Sequence, residues 1–452
     1  MHLDEIHIQN FKLFNQRSFK FHPQFNLVVG INGSGKTSLL KATVQVLAEC
    51  MKGVSQDLPF EADDVRRTPA SAGILIRYEK KYPVKIQARI SYIGKNLNEQ
   101  CEFIEFLKLG ETAGHPLNMP TGSEDWGYLI QNKVDKLDQG QWETLPVMAF
   151  YRCNRLWKNN GTTPTPFDAA TEKESRLAGY DSWFDASADF SSFWRWVIAK
   201  HLERLELAEA IGSQANYEEA IDISHGTMAG IDELQLVNRA VAGCLENARG
   251  IRYDLKQKTI LVAWNTTEEL TPFELLSDGQ RVTLAMVADI ARRACLLNPH
   301  LGGEVLEETP GIVLIDELDL HLHPLWQRRI IGDLRRTFPK IQFIATTHSP
   351  QLIGQVKPDE ILLLDAKETK HPGQSYGMDS NWVLRHIMGG DDRDAKIAAR
   401  LDGIFEAIED AQFDEAEKDI AEMRAEIGEH PDLVEAEALI SRYTRFSKNG
   451  EE

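Results

Sequence analysis

The chain has 452 residues, 42% of them hydrophobic, which is enough for two or three modules around a large core. Its 69 acidic and 50 basic residues leave a formal charge of −19, which excludes a protein whose whole surface grips nucleic acid and confines any such contact to a local patch. No apolar run is long enough to span a membrane, the N-terminus opens directly on strand-like sequence, and the five cysteines form no C-x-x-C pair, so a reduced, cytoplasmic protein without a zinc site or disulfide frame is expected.

Residues 1 to 30 read as two short strands, with Leu3, Ile6, Ile8 and then Phe19, Phe21 on one face and Asn10 to Arg17 as the turn, followed by a third apolar strand, Phe25 to Val29. That strand runs into Gly30-Ile-Asn-Gly-Ser-Gly-Lys-Thr37, a G-x-x-x-x-G-K-T loop, and then into a helical pattern at Leu39, Leu40, Thr43, Val44 and Leu47. Strand, glycine loop and helix in this order are the context a P-loop requires. Gly30, Gly33 and Gly35 let the backbone close around a phosphate chain, Lys36 is placed to reach its terminal phosphates, and the Thr37 hydroxyl is placed to bind Mg²⁺. ATP with Mg²⁺ is the expected ligand.

Residues 60 to 67 read as a polar loop, Gly73 to Tyr78 and Val84 to Ile93 as strands of an antiparallel layer, and 108 to 141 as a long surface insertion. Pro146 to Tyr151 reads as a buried strand that delivers the polar run Arg152-Cys-Asn-Arg155 to a site. A helical lobe is expected from Asp189 to about Ala248, and strands over Ile251 to Trp264 are expected to resume the sheet.

Three further stretches carry chemistry. Leu275-Leu-Ser-Asp-Gly-Gln280 precedes a helix over Val282 to Cys295, and its Ser277 hydroxyl and backbone amides form a small anion site. Gly311-Ile-Val-Leu-Ile-Asp-Glu317 is a buried strand ending in two carboxylates: Asp316 is suited to Mg²⁺, and Glu317 to poising a water for in-line attack on the γ-phosphate. Ile341 to Thr347 is another buried strand, and it ends on His348, whose imidazole can hydrogen-bond the γ-phosphate or the attacking water.

In this order the four stretches resemble the ATP-binding cassette (ABC) fold of the SMC and RecF class, over roughly residues 1 to 365. The resemblance implies an α/β head with a mixed central sheet and an antiparallel β layer, an inserted helical lobe and a C-terminal helical tail. It implies Walker A at Gly30, Asn32, Gly33, Ser34, Gly35, Lys36, Thr37 and Ser38, a signature at Ser277, Gly279 and Gln280, Walker B at Asp316, and catalytic roles for Glu317, Asp319 in the D-loop and His348 as the switch. It also implies a homo-oligomer, at least a head-to-tail dimer, in which Ser277 of one copy closes on the phosphate held by Lys36 of the other. Lys36 and Ser277 lie 241 positions apart, much farther than in transporter cassettes, so no membrane partner is favoured. The family's Q-loop glutamine is not identifiable in the sequence, and the polar end at Arg152 and Arg155 occupies a comparable place, which leaves that role unassigned.

Asp316 to Gln327, the Thr-Thr-His-Ser-Pro run at 346 to 350 and Ser375 to Trp382 further resemble bacterial defence ATPases, including the OLD family and the PtuA proteins of the Septu anti-phage system. With no C-terminal nuclease pattern the resemblance is to the PtuA type, which implies a separate HNH nuclease partner (PtuB). The expected organisation is a head in two parts, 1–188 and 251–370, a helical lobe over 189–250, and a helical tail over 371–452. In that tail Glu406 to Glu437 hold thirteen acidic and two basic residues, a solvated face or a docking surface for a basic partner. Arginine pairs at 66–67, 292–293, 328–329 and 335–336 are the local basic features, read as solubilising helix exteriors with a DNA-facing role as the alternative, so that nucleic-acid contact would come through the complex. The rival function is a RecF-like repair ATPase that binds DNA itself.

Overall fold

In the computed structural model the chain opens with a hairpin, β1 (His2–Phe11) and β2 (Phe14–Lys20), then passes through β3 (Phe25–Val29) into helix α1 (Lys36–Cys50). The turn is tighter than the expected Asn10 to Arg17 segment, because pairing continues to Phe11 and Phe14 while left-handed backbone at Asn10 and Lys12 reverses the chain. The structure describes residues 1–449 except 56–57, 59, 73–74, 93–98, 101–103, 110–128, 139–141, 156–174, 187–189, 211–231, 366–368 and 391–393. Two units are compact in themselves, Met1–Asp379 and Ser380–Glu452.

After α1 come β4 (Arg67–Ala72) and β5 (Leu75–Lys80), which pair only with each other, and then β6 (Val84–Tyr92), β7 (Glu99–Gln100) and β8 (Ile104–Leu109). β6 joins β1, β2, β7 and β8 in an antiparallel sheet, which is the expected layer for Val84 to Ile93 only: the expected Gly73 to Tyr78 strand, described as β5 from Leu75, hairpins onto β4 and stays outside that sheet. The 108 to 141 stretch is not all loop: it contains helix α2 (Leu129–Asp138), and much of the remainder lies outside the described residues. β9 (Val147–Tyr151) is buried at every position.

The stretch expected as a helical lobe contains α3 (Phe190–Ala210) and α4 (Glu233–Cys244), with 211–231 between them outside the described residues. The strands that follow, β10 (Ala248–Asp254), β11 (Thr259–Trp264) and β12 (Thr271–Pro272), form a separate antiparallel sheet and do not resume the central one. A hairpin turn, with Asp254 Oδ1 accepting from the Lys256 and Gln257 amides, folds β11 back on β10, whereas the central sheet is parallel and needs crossovers. The Asn238 amide fixes this sheet to α4 by bonding both the N–H and the carbonyl of Ile251.

Then follow α5 (Asp278–Leu297), β13 (Gly311–Ile315), α6 (Pro324–Thr337), β14 (Ile341–Thr347), β15 (Ile361–Leu364) and β16 (Thr369–Lys370). The central sheet has the order β16-β15-β3-β14-β13-β9, parallel from β15 to β9. Every residue of β3, β9, β13 and β14 is buried, as a sheet covered on both faces demands. α1 packs between this sheet and the antiparallel layer, which is why its apolar residues, from Leu39 to Cys50, are buried on more than one side. α5 is buried nearly all round, and this corrects one expectation: Arg292 and Arg293 are not solubilising but lie in the interior, both paired with Asp289.

The smaller unit holds α7 (Ser380–His386), α8 (Ala395–Glu409), α9 (Phe413–Ile427) and α10 (Pro431–Asn449). Leu401, Ile404 and Ile408 of α8 complete a core with Ala416, Ile420 and Met423 of α9 and Leu433, Ala436 and Ile440 of α10, so the acidic hairpin is part of a three-helix bundle. Among the described residues no helix is long and apolar enough to cross a membrane.

Candidate nucleotide-binding and hydrolysis site

Register brings the motifs to one edge. Val29 pairs with Thr347, Ala345 with Ile315, and Ile315 with Tyr151, so the residues that follow β3, β14, β13 and β9 leave the sheet side by side at its C-terminal edge. These are Gly30, His348, Asp316 and Arg152.

The loop from Gly30 to Gly35 is shaped by its glycines. Gly33 and Gly35 have φ of 79° and 105°, and a Cβ on Gly30 would lie 2.5 Å from Ser34 Oγ and 2.7 Å from the Leu364 carbonyl. Gly35 is the N-cap of α1 and supplies no side-chain cap, so the first-turn amides of that helix have no side-chain acceptor. Ser34 Oγ is buried without a hydrogen-bond partner among the described residues. A tight loop of uncapped amides that only glycines allow, with an orphaned hydroxyl beside it, fits a phosphate chain. Asn32 and Gly33 are exposed at the loop tip, and Ser38 is buried behind it.

Lys36 is buried and folds back, its Nζ donating to the carbonyls of Gly30 at 2.7 Å and Ile31 at 3.1 Å. Burial pushes its ammonium below the ordinary lysine range, against the pull of Asp316, Glu317 and Asp319. Those three carboxylates are the charge that a phosphate-bound cation would help to offset. Thr37 Oγ1 donates to Asp316, 3.2 Å from Oδ2 and 3.4 Å from Oδ1. A hydroxyl and a carboxylate in contact are the sparse protein ligand set that Mg²⁺ takes when substrate oxygens and water complete its shell. Among the described residues no cluster of three or more His, Cys, Asp and Glu side chains competes as a metal site.

The turn after β13 is held from two sides. Thr346 Oγ1 donates to Asp316 Oδ1 at 2.7 Å and accepts from the Glu317 amide at 2.7 Å, while the Leu318 amide donates to the Thr346 carbonyl. Glu317 has φ of 53° and His321 of 65°, so both sit in left-handed backbone that non-glycine residues enter only under constraint. Asp319 accepts from Thr347 Oγ1 at 2.6 Å and from the His348 amide at 3.4 Å, which ties the turn after β13 to the segment that leaves β14. Gln327 extends the tie, donating to the Leu322 carbonyl and accepting from Ser349 Oγ. The threonines at 346 and 347 and Gln327 were not singled out from sequence, although two threonines closing an otherwise apolar strand are a visible signal.

Ser277, Gly279 and Gln280 do not join this group. Ser277 caps α5 in a reciprocal box: its Oγ accepts from the Gln280 amide and donates to Gln280 Oε1, while its own amide donates to the same oxygen. The expected free hydroxyl is thus engaged, though exposed. Gly279 is required by packing, since a Cβ there would lie 2.4 Å from the His321 carbonyl. The signature end of α5 therefore rests on the segment that leaves Walker B. Three large apolar side chains close to these motifs in sequence, Ile31, Leu275 and Leu325, are exposed by 71%, 74% and 62%.

Compared with known proteins, residues 151–354 match a family described as "AAA domain, putative AbiEii toxin, Type IV TA system", and residues 5–221 match an AAA domain family. The chain is 27% identical over 445 residues to "Retron Ec83 probable ATPase" of Escherichia coli, covering 85% of this chain and 75% of that protein. It is 31% identical over 153 residues to "Septu protein PtuA" of Bacillus thuringiensis, 32% of this chain and 38% of that protein. A solved SMC head bound to the C-terminal winged-helix domain of ScpA is 12% identical and covers 83% of this chain and 98% of its own, with a TM-score of 0.46.

Proposed function

We propose that this chain, a PtuA-like ATPase of the SMC and RecF class, binds ATP with Mg²⁺ at the β3 edge and hydrolyses it between two copies, Ser277 of one closing on the γ-phosphate bound by Lys36 of the other. The observation that carries the reading is the contact of Thr37 with Asp316 beside the uncapped glycine loop, while the serine-capped end of α5 stands exposed and apart from it. One of each motif per chain, and apolar side chains flanking both, support a pair of copies.

The amides of Gly30, Asn32, Gly33, Ser34 and Gly35 bind the phosphate chain, and Lys36 exchanges its two carbonyl partners for phosphate oxygens. Thr37 and Asp316 would hold Mg²⁺, and the ion would supply positive charge against the phosphates. Glu317 orients the attacking water and accepts its proton, His348 hydrogen-bonds the γ-phosphate, and Asp319 holds the His348 backbone in place. Glu317→Gln tests the assignment: phosphate release falls while ATP binding survives. Unchanged release would leave only an ATP-bound scaffold.

In the cell, this ATPase acts in an anti-phage defence complex and controls an HNH nuclease partner of the PtuB kind. Similarity to proteins named for a retron and for Septu supports this reading over a RecF-like repair ATPase, as does the charge of −19, which disfavours direct and extensive DNA contact. Purification from the native host tests it: recovery of an HNH protein supports it, and recovery of replication proteins with DNA favours the alternative.

A further inference from the structure

Arg155, which the sequence places where the Q-loop would be, has no role in the site described above, yet it is 1% exposed and lies against Asp316 and Glu317. It stands just beyond the end of β9, and its guanidinium is spent on backbone. Nη1 donates to the carbonyl of Asp316 and, at 3.2 Å, to that of Arg152, and Nη2 donates to the carbonyl of Glu317 at 2.5 Å. Among the described residues no carboxylate lies within ion-pair distance of it. Arg155 Nε has no hydrogen-bond partner among them either. Burial pulls the group down to about 10, although the carboxylates of Asp316, Asp319 and Glu317 act in the opposite direction. A cation kept in the interior for three carbonyl oxygens is an expensive way to fill space, and a leucine or methionine would do that better.

Two of the carbonyls it grips flank the residue with the unusual backbone. Glu317 has φ of 53°; its amide is held by Thr346 Oγ1 on the β14 side, and its carbonyl by Arg155 on the β9 side. Both peptide groups of the left-handed residue are thereby fixed, from the two strands that neighbour β13. The direction of the Glu317 side chain follows from that backbone. We infer that Arg155 is a positioning residue for ATP hydrolysis: by clamping the carbonyls of Asp316 and Glu317 it holds the left-handed turn that aims the Glu317 carboxylate at the attacking water. The inference rests on the proposed role of Glu317, and it assigns Arg155 no contact with nucleotide.

The test is a double-substitution cycle on the full chain, with steady-state phosphate release for kcat and KM, fluorescent ATP analogue titration for affinity, and thermal melting. Arg155→Gln is expected to lower kcat about a hundredfold, as a misplaced reacting group does, while analogue affinity stays within about threefold of the parent. Arg155→Lys, which keeps the charge and one donor direction, is expected to recover part of kcat. In a Glu317→Gln background Arg155→Gln is expected to add no further loss, because there is no carboxylate left to aim. Equal kcat in Arg155→Gln and the parent, or a full multiplicative loss on top of Glu317→Gln, would overturn the inference. So would a fall in affinity that matches the fall in kcat in both Arg155→Gln and Arg155→Lys. If instead Glu317→Gln alone releases phosphate at the parental rate, it is the catalytic reading of Glu317 that fails.

Discussion

Replacing Asp289 by asparagine isolates the one buried carboxylate on α5. Asp289 is 2% exposed and accepts from Tyr151 Oη at 2.8 Å, Arg293 Nε at 2.7 Å and Arg292 Nη2 at 3.2 Å. Burial alone would raise its pKa, but the guanidiniums of Arg293 and Arg292, with the hydrogen bonds of Arg293 and Tyr151, hold it below the ordinary 3.8. Asparagine preserves the shape and one acceptor oxygen but leaves two interior guanidiniums without their counter-charge. Breaking a buried pair in this way costs about 3–5 kcal/mol. Tyr151→Phe removes one hydrogen bond to a charged group and costs about 1.5–3 kcal/mol. Urea unfolding at pH 7, followed by tryptophan fluorescence, should rank Asp289→Asn as the less stable of the two. Because the native carboxyl is depressed, its contribution is complete above the unfolded-state pKa and is lost as pH falls through the native one. The gap between parent and Asp289→Asn should therefore hold at neutral pH and close below about pH 4. A loss of less than about 1 kcal/mol at pH 7 would refute the argument that Asp289 neutralises a buried cationic pair.

Other outcomes follow from the site and its supports. Lys36→Ala should weaken ATP binding by roughly a hundredfold or more, measured by analogue titration, since its charge-assisted contacts to phosphate have no substitute. Glu317→Gln should cut phosphate release by about 10²- to 10⁴-fold and leave affinity intact. Gly279→Ala, with its Cβ 2.4 Å from a backbone carbonyl, should lower stability by about 1–3 kcal/mol and depress hydrolysis, whereas alanine at the exposed Asp278 should do neither. Burial, with Arg204 and Arg252 adding to it, lowers the His201 pKa from 6.5 to about 4, so its contribution is present above pH 6.5 and lost as pH falls towards 4; His201→Gln should flatten the melting temperature in that window.

What was legible in the sequence was whatever is local. An apolar run of five to seven residues ending in Gly-x-x-x-x-Gly-Lys-Thr, Asp-Glu or Thr-Thr-His announces a buried parallel strand with polar groups at its C-terminal edge, and each such run became a strand of the central sheet. The fate of charged residues was not legible, because it is decided by partners far along the chain. Arg292 and Arg293 look like a solvated helix face until Asp289, Tyr151 and the Gly179 carbonyl enclose them. Arg155 is likewise defined by carbonyls more than 160 positions away. The Ile251 to Trp264 strands were recognisable as strands, but alternation does not say which sheet a hairpin joins; Asn238 decided that by fixing Ile251 to α4. In the tail the stripe Ile397, Leu401, Ile404 and Ile408 has helical spacing, but spacing alone does not show that this helix shares one core with the two that follow it.

The missing side chain at Gly279 has a further effect. Without a β-carbon there, the capped end of α5 rests directly on the His321 carbonyl, two residues past the aspartate that the switch threonine holds. In the proposed pair of copies, any shift of that arch as the γ-phosphate leaves one copy would tilt the serine presented to the other copy's nucleotide. The two catalytic centres would then turn over in a concerted or alternating order, visible as a Hill coefficient different from one in phosphate release.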